Sequence, residues 1–184
     1  MRRTVCLLLS LALLGAAAST WVGAQSMAKM DGPAVKLDNL SAKTFGYWQQ
    51  EKNPPKPAVY QFLLPKELKG KKEDSAVLTI TPITTTEKAA FDELRSYMEA
   101  PAGKKVVDRV TKIKTAGAGE VDQLYLYGTY LDKSSGAVKK KETTRILAVV
   151  LPSKEKKYLI TLIGPSLAVG VNQGNFVNWV KAFK

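Results

Sequence analysis

The chain has 184 residues, with 28 Lys and Arg against 16 Asp and Glu, no histidine, and one cysteine, Cys6. That composition removes the commonest general base and most zinc sites, and loss of Cys6 with an N-terminal leader would also remove every thiol nucleophile and every disulfide. The length suits one domain, and the formal charge of +12 points to acidic partners rather than to a particular fold.

In chain order, Arg2 and Arg3 precede an apolar run over residues 5–14, and Val22-Gly23-Ala24 places small residues before Gln25. These regions predict a signal peptide over residues 1–24, cleaved between Ala24 and Gln25, with a cut after Ala16-Ala17-Ala18 as the alternative. The apolar run is well short of the roughly 20 residues that cross a bilayer as a helix. Cys6 lies inside that run rather than after it, so a lipid anchor is not expected, and the Arg2-Arg3 pair leaves the general and twin-arginine export routes both open. The expected product is residues 25–184, exported to a periplasmic or extracellular location, not an integral membrane protein, and carrying a charge of +10.

Residues 25–57 show little periodicity and contain Asn53-Pro54-Pro55-Lys56-Pro57, whose prolines neither extend a helix nor donate to a sheet. They read as an extended N-terminal leader, partly docked through Phe45, Tyr47 and Trp48. A single α+β domain is expected over residues 58–184. Val59-Tyr60-Gln61-Phe62-Leu63-Leu64 predicts a strand ended by Pro65, then a basic loop with Lys66, Lys69, Lys71 and Lys72, then a strand at Ala76-Val77-Leu78-Thr79-Ile80-Thr81. Thr84, three residues before Glu87, suggests a capping box, and Ala90, Phe91, Leu94 and Met98 recur at helical spacing, predicting a helix over residues 87–99.

Val107, Val110 and Ile113 fit a partly exposed strand. Residues 121–131 alternate so that Leu124, Leu126 and Tyr130 share one face and Tyr125 and Tyr127 the other. A turn at Lys133-Ser134-Ser135-Gly136 leads to a strand over residues 143–151, a turn at Lys154-Glu155-Lys156-Lys157 leads to a strand over residues 158–163, and Gly164-Pro165 ends it. A closing helix carries Phe176, Val177, Val180 and Phe183, with Asn175 or Ser166 as N-cap. Consecutive strands on short turns predict an antiparallel β-sheet flanked by helices.

The strand Tyr60-Gln61-Phe62-Leu63-Leu64-Pro65, the segment Tyr127-Gly128-Thr129-Tyr130, and Leu162-Ile163-Gly164-Pro165 before a helix with Phe176 resemble the PsbP-like fold family and its exported bacterial relatives, over about residues 58–184. In the first helix Phe91-Asp92-Glu93-Leu94-Arg95 stands where those relatives would carry an Asn and an Arg-Trp pair. The resemblance implies an α/β/α sandwich and a binding or assembly role rather than catalysis.

The candidate binding residues are two lysine clusters and a tyrosine pair. Lys139, Lys140 and Lys141 beside one turn, with Lys154, Lys156 and Lys157 at the next, would attract a polyanion if they formed one patch; as separate exposed runs they would only solubilise the rim. Tyr125 and Tyr127 would stack on a sugar ring or a partner, or pack under a helix. Glu73-Asp74, Asp92-Glu93 and Glu120 with Asp122 match no calcium loop, and no Gly-x-Ser-x-Gly surrounds Ser75, Ser96 or Ser166. Residues 164–174 are glycine-rich but follow no nucleotide fingerprint, so neither a metal nor a cofactor is expected. The chain therefore reads as an exported, non-catalytic binding or assembly protein of the cell envelope. Its expected partner is an acidic envelope polymer or an acidic protein, not nucleic acid; the alternative is a hydrolase using a Ser-Lys dyad or paired carboxylates.

Overall fold

The computed structural model describes residues 29–65, 75–101, 103–133 and 137–184. The predicted signal peptide with its Ala24 and Gln25 junction, the basic loop over residues 66–72 and the turn residues 134–136 lie outside these.

Ten strands and two helices make an α+β fold among the described residues. β1 (Ala34–Leu37) and β2 (Leu40–Lys43) form a separate hairpin. β3 (Gln49–Gln50), β4 (Tyr60–Leu64), β5 (Ala76–Ile83), β6 (Met98–Glu99), β7 (Val107–Lys114), β8 (Glu120–Asp132), β9 (Lys139–Pro152) and β10 (Lys157–Pro165) build the main sheet. Its order is β3-β4-β5-β10-β9-β8-β6, with β7 also paired to β8, and every pairing is antiparallel. Helix α1 (Glu87–Ser96) lies against one face and α2 (Ser166–Lys181) against the other.

Both faces of the central strands are covered, which explains the long apolar run in β9. Ile146, Ala148 and Val150 pack with Ala90, Phe91 and Leu94 of α1, while Leu147, Val149 and Leu151 meet Phe176, Trp179, Val180 and Phe183 on the α2 side. The expected alternation in β8 holds: Leu124 and Leu126 are fully buried on the α1 face with Tyr130 beside them, and Tyr125 packs on the α2 face.

Four expectations need correction. The leader is not merely extended, because Val35, Leu37, Leu40, Ala42, Phe45 and Trp48 are all buried in the same cluster as α2. Trp48 reaches Trp179 at 5.2 Å in an edge-on contact, and β3 joins the main sheet through β4. The N-cap of α1 is Thr86 rather than Thr84, its hydroxyl accepting from the Ala89 N–H at 3.2 Å. The helix stops at Ser96, earlier than predicted, because Met98 and Glu99 leave it to pair with Tyr130 and Thr129. α2 starts directly after Pro165, and neither Ser166 nor Asn175 caps it with a side chain.

Candidate functional site

The part of the fold with the most concentrated unused chemistry is a trough between α2 and the strands β7, β8 and β9. Strand register places it: Arg109 pairs with Tyr125 across β7 and β8, and Tyr127 pairs with Arg145 across β8 and β9. Side chains at alternate strand positions share a face, so Gln123, Tyr125 and Tyr127 line up beneath α2.

One section of the trough is an open depression of about 620 Å³ bordered by Tyr127, Thr143, Arg145, Ser166, Leu167, Gly170 and Val171. The other encloses about 280 Å³ and is bordered by Arg109, Thr111, Gln123, Tyr125, Leu147 and Gln173. Arg145 lies between them: its guanidinium carbon is 6.0 Å from the Tyr125 ring centre and 5.9 Å from that of Tyr127. Guanidinium over an aromatic face is held by the ring quadrupole and leaves its N–H edge available to a further partner.

Helix α2 comes unusually close to this side chain. A Cβ at position 170 would stand 2.8 Å from Arg145 Nη1, so glycine is what lets the helix settle over the guanidinium. The mouth of the same section is shaped by an irregularity. Gly128 pairs with Thr144 and Tyr130 with Lys141, so that Thr129 alone faces both Glu142 and Thr143, and Thr143 takes φ = 51°. A positive φ is costly for a β-branched residue, and bulges of this kind redirect side chains at the rim of a site.

The hydrogen-bond inventory separates these groups from the rest of the charged surface. Arg95 is fully engaged, with Asp108 at 2.7 Å and Asp92 at 2.9 Å, and these carboxylates raise its pKa further. Arg145 and Arg109 make no ion pair among the described residues, and Arg145 Nε is buried without a hydrogen-bond partner. Gln123 is 7% exposed, its Nε2 also has no partner, and its Oε1 lies 3.5 Å from Thr111 Oγ1. Two such unpaired donors border the trough; the other two among the described residues are the indole N–H groups of Trp48 and Trp179 in the core on the α2 side.

The lysine clusters do not form one patch. Lys139 opens β9 and Lys154, Lys156 and Lys157 lie at its far end, about 45 Å away along a 14-residue strand at roughly 3.3 Å per residue. Lys140 is paired with Glu99 and Lys141 with Asp132, each at 2.7 Å. Tyr125 and Tyr127 are the two predicted residues that the structure brings into the trough; both are half-buried rather than core. Arg145, Arg109, Gln123 and Gly170 were missed by the sequence reading. The i, i+2, i+4 series Gln123, Tyr125, Tyr127 was a usable signal, but the arginines enter only through cross-strand register.

The carboxylate candidates fall elsewhere. Lys112 sits between Glu120 at 2.8 Å and Asp122 at 3.9 Å. Glu87 is held above the usual carboxylate range by burial and by the neighbouring Asp122. Ser96 donates to the Glu93 carbonyl at 2.7 Å, Glu73-Asp74 lies outside the described residues, and Ser166 borders the trough without a lysine or carboxylate among its lining residues. A third cavity of about 400 Å³ beside α1 is lined largely by apolar groups of Pro82, Ile83, Leu94, Tyr97 and Leu159. Among the described residues no three acidic, His or Cys side chains are grouped to hold a metal, and no helix is long and apolar enough to cross a membrane.

No protein-family model and no curated protein matches the chain. Among solved structures, PA94 from Pseudomonas aeruginosa, a protein of unknown function, aligns at a TM-score of 0.44 and 10% identity over 81% of this chain and 93% of that one. LpqN of Mycobacterium tuberculosis, involved in cell envelope biogenesis, aligns at 0.45 and 10% identity over 84% of each chain. Similarity at this level carries no inference about this chain's activity.

Proposed function

We propose that the chain is an exported, non-catalytic binding protein of the cell envelope, and that it holds an anionic group of an envelope component in the trough beneath α2. The observation that carries this reading is Arg145, a half-buried guanidinium over two tyrosine rings, with an unpartnered Nε and no ion pair among the described residues. A guanidinium in such a position gains most from a planar or tetrahedral oxyanion, which accepts bidentate, charge-assisted hydrogen bonds. The first turn of α2, with Pro165 at its cap and no side-chain bond to its N–H groups, adds positive potential on the same side. Binding rather than hydrolysis is favoured because the trough's described lining offers Ser166 no base. The envelope location rests on the predicted signal peptide ending at Ala24.

The test is a titration of the mature chain with sodium glucuronate and with inorganic phosphate, read by tyrosine fluorescence. Arg145→Gln is expected to weaken binding about tenfold or more, the loss of a hydrogen bond to a charged group. The triple change K139Q/K140Q/K141Q is expected to leave it unchanged. Equal affinity in wild type and R145Q overturns the site. Recovery of the protein with Met1 intact, instead of Gln25, from fractionated cells overturns the export step.

A further inference from the structure

We infer that the trough takes an acidic polysaccharide, reading two of its acid groups at once through Arg145 and Arg109, with the intervening neutral sugar passing beside Tyr125 and Tyr127. The inference rests on the anion-binding reading of Arg145 and adds to it the class of ligand.

The geometry follows from the ladder. Arg109 is opposite Tyr125 on β7, and Arg145 is opposite Tyr127 on β9, two strands away. Two strand spacings of about 4.8 Å, combined with a shift of two residues at roughly 3.3 Å, separate the two Cα positions by about 12 Å. Neither arginine has an ion pair among the described residues. Both line the trough, one in each section, and α2 roofs both sections through Gly170 and Gln173.

What lies between the arginines decides the ligand. The described lining there is Tyr125, Tyr127 and Gln123: rings, hydroxyls and one amide whose buried Nε2 has no partner, with no further cation. A polyphosphate or nucleic acid would need cations far more closely spaced, since each strand of a duplex carries one charge about every 3.4 Å. A polysaccharide with an acid on every second sugar has the complementary pattern. Its neutral sugars pass beside the tyrosines, whose hydroxyls bond to sugar hydroxyls, and its carboxylates fall at intervals that two separated arginines meet.

Hyaluronan oligosaccharides of two to eight sugars, in which alternate sugars carry a carboxylate, test this against glucuronate, neutral chitin oligomers and inorganic polyphosphate. Affinity for wild type is expected to rise by about tenfold or more once an oligomer presents two carboxylates, because the second contact is intramolecular. Arg109→Gln is expected to abolish that rise; Arg109 is exposed, so the variant should fold. Length-independent affinity, or an R109Q variant that keeps the rise, overturns the two-anion reading and leaves the Arg145 site standing. Tighter binding of polyphosphate than of hyaluronan overturns the polysaccharide in favour of a phosphate polymer. Equal binding of chitin oligomers overturns the role of charge, and failure of glucuronate and phosphate alike overturns both readings.

Discussion

Two glycines one helical turn apart on α2 give opposite expectations, and the contrast tests how Arg145 is seated. Gly170 and Gly174 both lie inside the helix Ser166–Lys181. Glycine in a helix interior is about 1 kcal/mol less favourable than alanine because it leaves more backbone freedom to be lost on folding. At Gly174 an added Cβ meets nothing within 4 Å, so Gly174→Ala should recover about 0.5–1 kcal/mol. For a chain of this size that raises the melting temperature by roughly 2–4 °C per kcal/mol. At Gly170 the same Cβ would stand 2.8 Å from Arg145 Nη1, closer than such contacts are found. The obstacle is the far end of a flexible side chain, so the guanidinium would swing away from α2 and off the Tyr125 and Tyr127 rings. Losing those two cation–π contacts costs about 0.5–1 kcal/mol each at partly exposed sites, which offsets the helix gain. Gly170→Ala should therefore leave stability near or below wild type while weakening anion binding. In an Arg145→Gln background the shorter side chain removes the obstacle, and Gly170→Ala should then stabilise about as much as Gly174→Ala. Urea unfolding of the four-member cycle measures this coupling. Equal stabilisation by Gly170→Ala in both backgrounds would refute the seating of the guanidinium against the helix.

Asn172 ties three segments: its Nδ2 donates to the Ala168 carbonyl at 2.9 Å and the Pro65 carbonyl at 3.1 Å, and its Oδ1 accepts from Tyr47 O–H at 2.8 Å. Asn172→Leu should cost about 2–3 kcal/mol in denaturant unfolding because buried partners are left unpaired, whereas Tyr47→Phe, which keeps the ring, should cost about 1 kcal/mol. Asp38, at the β1–β2 turn, accepts from the Ser153 hydroxyl and from Tyr158 O–H at 3.0 Å, and these bonds hold its carboxyl below the usual range. Its contribution is therefore present above the ordinary carboxylate pKa and lost as pH falls through its lowered folded value; Asp38→Asn should unfold with a flatter acid limb than wild type, and parallel limbs would count against the bond. Trp48→Ala should destabilise by about 3–5 kcal/mol by calorimetry, since the ring is 3% exposed and packs on Phe62 and Trp179; a leader merely resting on the surface would lose far less.

What the sequence revealed follows the length and regularity of each pattern. β5, β8, β9 and β10 carry eight or more residues of alternating or β-branched pattern, and each was recognisable because period 2 accumulates over that length. β1 and β2 have four residues each, and only Val35, Leu37, Leu40 and Ala42 point inward, too short a run to stand out beside the prolines at residues 54–57. Asp38-Asn39 between them was the available clue, since Asp38 adopts φ = 50° in the tight turn. The trough was less legible for a different reason. Tyr125 and Tyr127 announce their shared face locally, but whether that face is core or groove depends on what α2 places over it. Arg145 sits on the β9 face otherwise filled by Leu147, Val149 and Leu151, and nothing in its own strand says that glycine will be overhead.

The separation of charge in the fold changes which cations matter. Exposed lysines dominate the count, yet Lys140, Lys141, Lys112 and Lys88 already hold carboxylates at 2.6–2.8 Å. Among the other described lysines, Lys133 lies 5.1 Å from the Tyr97 ring centre, and those exposed to water act across a Debye length of about 8 Å at physiological salt. Arg145 occupies a different situation: half-buried, with its guanidinium over two rings, beside Leu167 and Val171 of α2, which are themselves exposed. A guanidinium gives up hydration more readily than an ammonium. On the proposed reading, one arginine held this way would contribute more to recognising an anion than a run of solvated lysines. The strong basicity of the chain would then set a long-range attraction to acidic surfaces, while the trough would select the anion retained.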